Sequence, residues 1–595
     1  MTFNQAFTGT YAGVISGTGT VTKDGAGVAT FSGNSTYTGA TTIAAGTLIV
    51  NGSLVSPVSI ASGATLGGSG SVGGIAAPAG SIVAPGNSIG QLNVNGNVAF
   101  SAGSTYQVEA NAAGQADKVV ATGTATLGGG TVQVLAANGT YAPRTTYDIL
   151  HANAGVSGGF DGATSNLAFL TASLSYGVND VFLTLARNTT SFATVAQTVN
   201  QRAVAAALDA SPFGSALVQA VLPLTAPQAL QAFEALSGEI HASVVGALTE
   251  DSRYMRQAVL GRLRTASYAS DAGALANLSI GGPQVAFQAE AEQGGDATLA
   301  YDAKNQLPVK ARPPAPAAGP DVAVWGQSFG AWGRWDGDGN ASRLDRDLAG
   351  VIAGADMRFA EGWRGGFAAG YTHADVSVPA LASSADVDSF HLAGYLGTRF
   401  GAWSVRGGAA FAWHDIDTLR AIVFPGFFDQ ARARQDSTTA QVFGEVGYGI
   451  TWGGAAFEPF AGLAWVNVDT NGFLEGGGPA ALLGTGASLD TGYSTLGARA
   501  ATTMPLANGM VLIPRASAAW QHAFNDVTPA ATAAFVATGS AFALAGVPIA
   551  RDSALVEAGL ELAVSRNATV GVSYVGQLSD TVQDHAVKGK AVWRF

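Results

Sequence analysis

The sequence has no cysteine among its 595 residues, few charged residues and no long apolar run. Without cysteine, neither a disulfide framework nor a thiolate metal site can form. Charged residues make up 12% of the chain, against a share of about 25% in soluble globular domains. No apolar stretch reaches the roughly 18 residues that a membrane-spanning helix requires. These scarcities exclude a disulfide-stapled scaffold and a helical membrane protein.

Apolar and small residues are abundant instead. Hydrophobic residues account for 47% of the chain, glycine occurs 80 times, and the mean hydropathy is +0.24. High apolarity without a spanning helix fits a membrane β-barrel joined to a glycine-rich domain of low charge. The net charge of −12 and the lack of a basic cluster with interleaved aromatic residues argue against a nucleic-acid partner.

Residues 321–595 alternate between apolar and polar positions in segments of roughly 11 to 18 residues, as barrel strands do. Trp403 and Val405 share one strand face, and Ser404 and Arg406 share the other. Because strand side chains alternate between two faces, each segment offers one face to lipid and one to a polar lumen. The connections alternate between short and long, which a soluble β-sandwich does not require. We predict a 12-stranded antiparallel transmembrane β-barrel.

Residues 1–190 have a different composition, rich in glycine, threonine and alanine and nearly free of charge. Short strand-forming runs recur between Gly/Asn turns, for example at 47–50, 91–94 and 131–135. Such repetition is typical of a solenoid whose rungs pair with their neighbours. A right-handed parallel β-helix is the favoured interpretation, and an antiparallel sandwich is the alternative.

The region between these two parts is predicted to be helical over residues 191–266. Apolar residues recur at helical spacing after Pro227, including Phe233, Ile240 and Val244. Residues 267–320 lose this periodicity and are read as a flexible Pro/Ala-rich linker. The expected fold class is therefore all-β with a helical linker.

Several segments resemble the type V autotransporters of the monomeric kind. Residues 31–48 and 84–92 look like the passenger repeat of that family, and residues 147–150 look like the end of a pertactin-like β-helix. Residues 325–330 resemble its first barrel strand, and residues 593–595 resemble its barrel-assembly signal. The resemblance implies a β-helical passenger, a C-terminal translocator barrel, and location in the outer membrane of a Gram-negative bacterium with the passenger on the cell surface.

The resemblance also implies site residues and partners. In the family a helix runs through the barrel pore, and residues 250–264 are the expected counterpart; an alternative is a helix packed outside the barrel. Trp593 and Phe595 are the expected assembly signal, read by the barrel-assembly machinery after delivery by periplasmic chaperones. Outer-membrane lipid and an unknown surface ligand or host molecule complete the expected partners. The predicted pore-helix cations are Arg253, Arg256, Arg262 and Arg264.

The search for chemistry is mostly negative. Residues 86–90 match the GxSxG pattern, but a strand rather than a helix follows, so a solenoid turn explains them better than an esterase elbow. Residues 336–340 resemble half of a calcium loop but lack the glutamate at its twelfth position. No histidine spacing indicates a metal site. We therefore expect no catalytic, metal-binding or cofactor-binding residue, and a protein that is not an enzyme.

The expected function is export of the chain's own N-terminal passenger, which would act as an adhesin or interaction surface. One alternative is the C-terminal part of a surface protease or esterase whose catalytic domain lies upstream. A porin-like channel is the other alternative. Since residues 1–7 lack the basic and apolar regions of a signal peptide, the sequence reads as part of a longer exported protein.

Overall fold

The computed structural model describes residues 1–139, 141–267, 322–452, 455–565 and 567–595. Apart from Ser267, the predicted linker over residues 267–320 lies outside the described residues. The chain divides into two compact units. The first consists of Met1–Gln197, Val204–Phe233 and Val423–Phe428. The second consists of Thr198–Ala203, Glu234–Ile422 and Asp429–Phe595.

The N-terminal region is a solenoid built of three sheets, each with eight strands. Neighbouring rungs pair in parallel, so each inward position stacks on the same position of the next rung. One such interior stack consists of the buried residues Ala29, Leu48, Leu66, Val83, Tyr106 and Val132. This parallel pairing confirms the predicted β-helix and rules out the antiparallel sandwich for this region.

The solenoid strands are short because each ends at a corner between sheets. They are Thr2–Asn4, Gly9–Tyr11, Val21–Asp24, Val28–Phe31, Asn34–Ser35, Thr41–Ile43, Thr47–Val50, Ser53–Leu54, Pro57–Ile60, Thr65–Gly68, Ser71–Val72, Gly74–Ala77, Ile82–Pro85, Gln91–Val94, Val98–Ser101, Thr105–Ala110, Lys118–Ala121, Ala125–Gly128, Thr131–Ala136, Arg144–Ala152, Val156–Gly159, Gly162–Ser165, Leu170–Tyr176 and Asp180–Arg187. The last two form an antiparallel hairpin on Arg144–Ala152 and terminate the third sheet.

Five helices follow: α1 Phe192–Val195, α2 Val199–Ala210, α3 Ala216–Val221, α4 Ala226–Leu236 and α5 Ile240–Ser267. Phe192 packs between Phe169 of the solenoid and Phe233 of α4, with ring centroids 4.6 and 6.4 Å apart. The helical pattern after Pro227 does not give one continuous helix, because the chain turns at Gly238, whose φ is +70°. Among the helices of the described residues, none is both long and apolar enough to cross a membrane.

The C-terminal region is a closed antiparallel barrel of twelve long strands, as predicted. They are β1 Val322–Trp335, β2 Leu344–Ala360, β3 Trp363–Val378, β4 Ser383–Phe400, β5 Trp403–Phe424, β6 Phe427–Tyr448, β7 Ala455–Thr470, β8 Ala487–Thr502, β9 Val511–Phe524, β10 Asp552–Ala563, β11 Ala568–Leu578 and β12 Val582–Arg594. Short strands Ile450–Trp452 and Met504–Pro505 flank β7 and β9. Pairing of β12 with β1 closes the ring.

The two faces of the barrel wall differ as the alternation predicts. Outward side chains such as Phe367, Trp452 and Leu463 are exposed and apolar. Inward side chains such as Arg406 and Glu445 are charged and buried. A wall that is apolar outside and polar inside is typical of a barrel that is surrounded by lipid and has a filled lumen.

Two long connections of the barrel form a small sheet that the sequence did not predict. Its four strands are Phe473–Leu474, Leu482–Gly484, Ala530–Phe535 and Ala541–Ala545. The single turn Pro379–Leu381 joins β3 to β4.

Candidate functional site

Helix α5 lies inside the barrel lumen rather than against the outer wall. Its side chains reach strands that are far apart around the ring, which is possible only from within. These contacts are Arg262 to Asp356 on β2 at 2.6 Å, Arg256 to Gln441 on β6 at 2.8 Å, Tyr493 on β8 to Glu250 at 3.1 Å, and Tyr254 to Asp584 on β12 at 2.9 Å.

The four arginines proposed for a pore helix all lie on α5, and each meets a polar group of the wall. Arg253 lies 2.7 Å from a carboxylate oxygen of Asp584. Arg264 is more loosely placed, 3.8 Å from the nearest carboxylate oxygen of Glu445. Because charges in a low-dielectric lumen are costly without partners, these pairs fix the position of the helix.

The wall opposite Arg264 carries a network of two arginines and two glutamates. Arg406 lies 2.8 Å from Glu445 and 2.7 Å from Glu458. Arg499 contacts both carboxylates as well, at 2.9 Å in the case of Glu458. These lumen carboxylates are thus engaged with guanidinium groups, and the arrangement serves electrostatic pairing rather than acid–base catalysis.

The N-terminal end of α5 is held by groups that sequence reasoning missed. His241 Nε2 lies 2.8 Å from Glu475 Oε1, and its ring stacks on Phe473 of the loop sheet at 3.7 Å. Arg420 donates to the same carboxylate at 2.7 Å. No sequence signal could pair these residues, because Glu475 lies more than two hundred residues after His241.

Two further polar contacts attach the helical region to the barrel connections. The side-chain amide of Asn200 donates to the Ala545 carbonyl at 2.8 Å and accepts from the Ala545 amide at 2.9 Å. Glu239 accepts a hydrogen bond from the Ser342 amide at 2.7 Å. Burial raises the pKa of Glu239 to about 7, partly offset by that hydrogen bond.

The proposed assembly-signal residues lie at the seam of the barrel. Trp593 is opposite Val324 of β1 and Ala568 of β11, and its side chain faces outward. The amide of Phe595 donates to the Val322 carbonyl at 2.9 Å, and its ring is exposed. Both side chains are thus available on the outer surface, and their role in assembly stays a prediction.

The weak motifs have structural explanations. Residues 86–90 form a solenoid turn in which the Gly90 amide donates to Asp117 at 2.8 Å. Asp338 uses its carboxylate to accept from the amides of Asn340 and Ala341, both at 2.8 Å, as a local turn does. Within the described part of the chain, no cluster of three or more potential ligands could hold a metal ion.

A closed twelve-stranded barrel with a polar lumen, an apolar outer wall and a threaded helix defines an outer-membrane protein of the autotransporter class. The family model described as "Autotransporter beta-domain" matches residues 324–575, and the model described as "Passenger-associated-transport-repeat" matches residues 21–50. The chain is an autotransporter with a β-helical passenger. It lies in the outer membrane of a Gram-negative bacterium, with the passenger on the cell surface.

Two curated relatives from Serratia marcescens are both named "Extracellular serine protease". One is 31% identical over 564 residues, covering 86% of this chain and 50% of the relative. The other is 30% identical over 567 residues, covering 86% of this chain and 49% of the relative. The chain thus spans about half the length of these relatives. Their names contradict the expectation that the protein is not an enzyme, and they do not support an adhesin.

Solved structures of two autotransporters align with part of the chain. The translocator domain of the autotransporter NalP from Neisseria meningitidis is 15% identical, with a TM-score of 0.38, over 46% of this chain and 89% of that one. The transport unit of AIDA-I from Escherichia coli is 14% identical, with a TM-score of 0.35, over 53% of this chain and 99% of that one.

Proposed function

We propose that this chain is the solenoid-and-translocator portion of an extracellular serine protease. The observation that supports this most strongly is the similarity to two named proteases over 86% of the chain, solenoid included. The barrel would export the passenger, and the solenoid would present the proteolytic domain at the cell surface. The adhesive passenger, our first expectation, is the weaker interpretation.

The catalytic residues belong, in this proposal, to the half of the relatives' length that this chain does not match. In the described residues, His151 lies 2.6 Å from Asp180, but its other nitrogen contacts Asn153. His414 contacts Ser389 at 2.7 Å, but its second nitrogen contacts Thr439 rather than a carboxylate. Neither histidine joins a serine to an acid, as a Ser–His–Asp triad requires.

Transport in this proposal uses the lumen that α5 now occupies. The passenger would cross while the barrel is being completed, and α5, which follows the passenger in the chain, would remain as the final segment inside. Each rung that stacks outside buries apolar positions such as Leu66 and Val83, so folding itself would bias the chain outward. Outer-membrane lipid, the barrel-assembly machinery and periplasmic chaperones are the proposed partners.

The proposed organisation along the chain follows the predicted boundaries: passenger 1–190, helical connector 191–266, linker 267–320 and barrel 321–595. Within the connector, residues 191–197 and 204–233 belong to the solenoid unit, residues 198–203 and 234–266 belong to the barrel unit, and the last change of unit falls between Phe233 and Glu234. We propose that this is where the exported part meets the part that stays in the membrane.

A fluorophosphonate probe, which labels active serine hydrolases covalently, tests the proteolytic assignment. Native outer-membrane and culture-medium fractions are labelled, and an antiserum against the barrel identifies the protein and its fragments. We expect label on the exported protein or on a passenger released from it. Heat-denatured fractions are the control. A surface-exposed protein that takes no label, and that cleaves no casein, would contradict the protease and return the passenger to a binding role.

A further inference from the structure

A small cavity lined mainly by charged and polar side chains lies between α5 and one side of the barrel wall. On the helix side it is lined by Gly261 and Arg264. On the wall side it is lined by Arg515 of β9, Glu557 of β10 and Lys588 of β12. Nothing in the transport function proposed above accounts for an open space at this point of the lumen.

The cavity has an excess of positive charge. Five cationic side chains but only two carboxylates line it. Arg515 forms an ion pair with Glu557 at 2.8 Å, and Lys590 forms one with Glu561 at 2.9 Å. Both carboxylates of the cavity are thus already paired. Arg262 is paired outside the cavity with Asp356.

Two cations, Lys588 and Arg264, have no carboxylate within hydrogen-bonding distance in the described residues, although Glu557 interacts with both through space. The Lys588 ammonium donates to the side-chain amide oxygen of Gln257 at 2.6 Å, which supplies an acceptor but no charge. Arg264 comes no closer than 3.8 Å to a carboxylate oxygen, that of Glu445. The buried Lys588 ammonium and the partly exposed Arg264 guanidinium therefore face the same space without full compensation, an arrangement that is costly unless a counter-charge is present.

Unpartnered hydrogen-bonding atoms around the cavity point to the same kind of occupant. Arg262 Nη1, Arg515 Nε and Gln327 Nε2 are buried donors with no acceptor among the described residues. Arg262 itself is only 2% exposed. A single acceptor, Glu561 Oε2, lacks a donor. Since donors outnumber acceptors, an occupant rich in acceptor atoms satisfies this surface best.

We propose that this cavity binds a tetrahedral oxyanion, phosphate or sulfate, between Arg264 of α5 and Arg515 and Lys588 of the wall. Such an anion supplies the missing negative charge and several acceptor oxygens at once. It bridges the helix to strands β9 and β12. Binding of the anion therefore strengthens the attachment of α5 to the wall of the assembled barrel, and its release weakens that attachment. The site belongs to the barrel and does not depend on proteolytic activity.

Equilibrium dialysis with radiolabelled inorganic phosphate tests the site in the full chain folded in detergent, at an ionic strength held constant with chloride. We expect saturable binding of one phosphate per chain. In Lys588→Gln we expect the dissociation constant to rise at least ten-fold. Arg434→Gln is the matched control, because Arg434 is an exposed arginine outside the lumen that pairs only with Asp417 among the contacts described, and it should bind as the wild type does.

Folding of each variant is checked by the heat-dependent gel mobility of the barrel, and Arg264→Gln replaces Lys588→Gln if the latter does not fold. Competition by sulfate, but not by acetate at equal concentration, is the expected pattern. Equal competition by acetate would overturn the tetrahedral assignment. Binding that does not saturate, or that is unchanged in the folded lumen variants, would overturn the site.

Discussion

Arg262 of α5 and Asp356 of β2 form a two-pronged contact, in which Nε and Nη2 donate to separate carboxylate oxygens at 2.6 and 2.7 Å. Arg364 of the neighbouring strand donates to the same carboxylate at 2.5 Å. One buried carboxylate thus holds two guanidinium groups, one on the helix and one on the wall. This fastens the C-terminal half of α5 to the barrel.

Asp356→Asn should destabilise the barrel by about 3 to 5 kcal/mol, because removing one partner leaves buried cations uncompensated. Urea unfolding of the full chain in detergent, followed by tryptophan fluorescence, measures the change, since all ten tryptophans lie at or after Trp325. Asp417→Asn, in an exposed pair with Arg434, is the control and should cost no more than about 1 kcal/mol. Equal effects of the two substitutions would show that the contact between α5 and the wall contributes no more to the free energy of unfolding than an exposed ion pair does.

Gly238→Ala should destabilise the junction between α4 and α5. The backbone there has a φ of +70°, and an added Cβ would lie 2.5 Å from Leu482 Cδ1. Gly509→Ala is a control with a similar φ of +82° but no atom within 4 Å, so it reports backbone strain alone. We expect both to cost about 1 kcal/mol for strain, with a further loss at Gly238 from the clash. The difference between the two unfolding midpoints measures the effect of the clash with Leu482. Equal midpoints would mean that the Leu482 side chain moves aside without a cost in stability.

The passenger should become more stable as the pH falls from 6 towards 4. Burial raises the pKa of Asp117 from 3.8 to about 6, although the Glu109 and Gly90 amides donate to it and oppose the rise. The folded state therefore binds more protons than the unfolded state in this window, so the free energy of unfolding decreases as pH rises through it. Hydrogen exchange of peptides covering residues 84–121 measures this in the full chain.

Asp117→Asn removes the titrating group and should remove that pH dependence from those peptides. Comparing Asp117→Asn with the wild type at each pH cancels the intrinsic dependence of the exchange rate on pH. A pH response of the same size in Asp117→Asn would assign the effect to another group.

Phe595→Ala, or Trp593→Ala, should sharply lower the amount of folded barrel in the outer membrane. Both side chains are exposed at the seam where β12 meets β1, so their loss removes contacts that the folded wall itself does not need. Phe367→Ala is the control, since Phe367 is also lipid-facing and even more exposed. Unchanged membrane levels would contradict the assembly-signal role, and an equal loss in Phe367→Ala would reduce it to general lipid contact.

The sequence predicts what depends on local pattern. Alternation such as Ser404 and Arg406 opposite Trp403 and Val405 identifies a barrel strand, because the period of a strand decides the face of each side chain. Turn-bounded repeats likewise predict parallel rungs. The arginines of α5 are predicted from the family resemblance, which implies a helix in the pore whose cations could pair with acidic lumen groups.

Partners that depend on register could not be predicted. Nothing local links Arg262 to Asp356, or His241 to Glu475, because the helix depth in the lumen decides both. The loop sheet was missed for a related reason, since its strands come from two connections that meet only once the barrel has closed. The expectation of a non-enzyme was wrong, and the protease stayed only an alternative, because no triad residue could be recognised in the sequence.

The interior stack that runs through Leu48, Leu66 and Val83 has an evolutionary consequence. Each rung touches only the rung before it and the rung after it, so a whole turn can be duplicated or deleted without altering the barrel or the residues of its lumen. In the proposed arrangement, in which the solenoid presents a proteolytic domain, the distance of that domain from the cell surface can thus change in discrete steps of one rung, while the barrel stays the same.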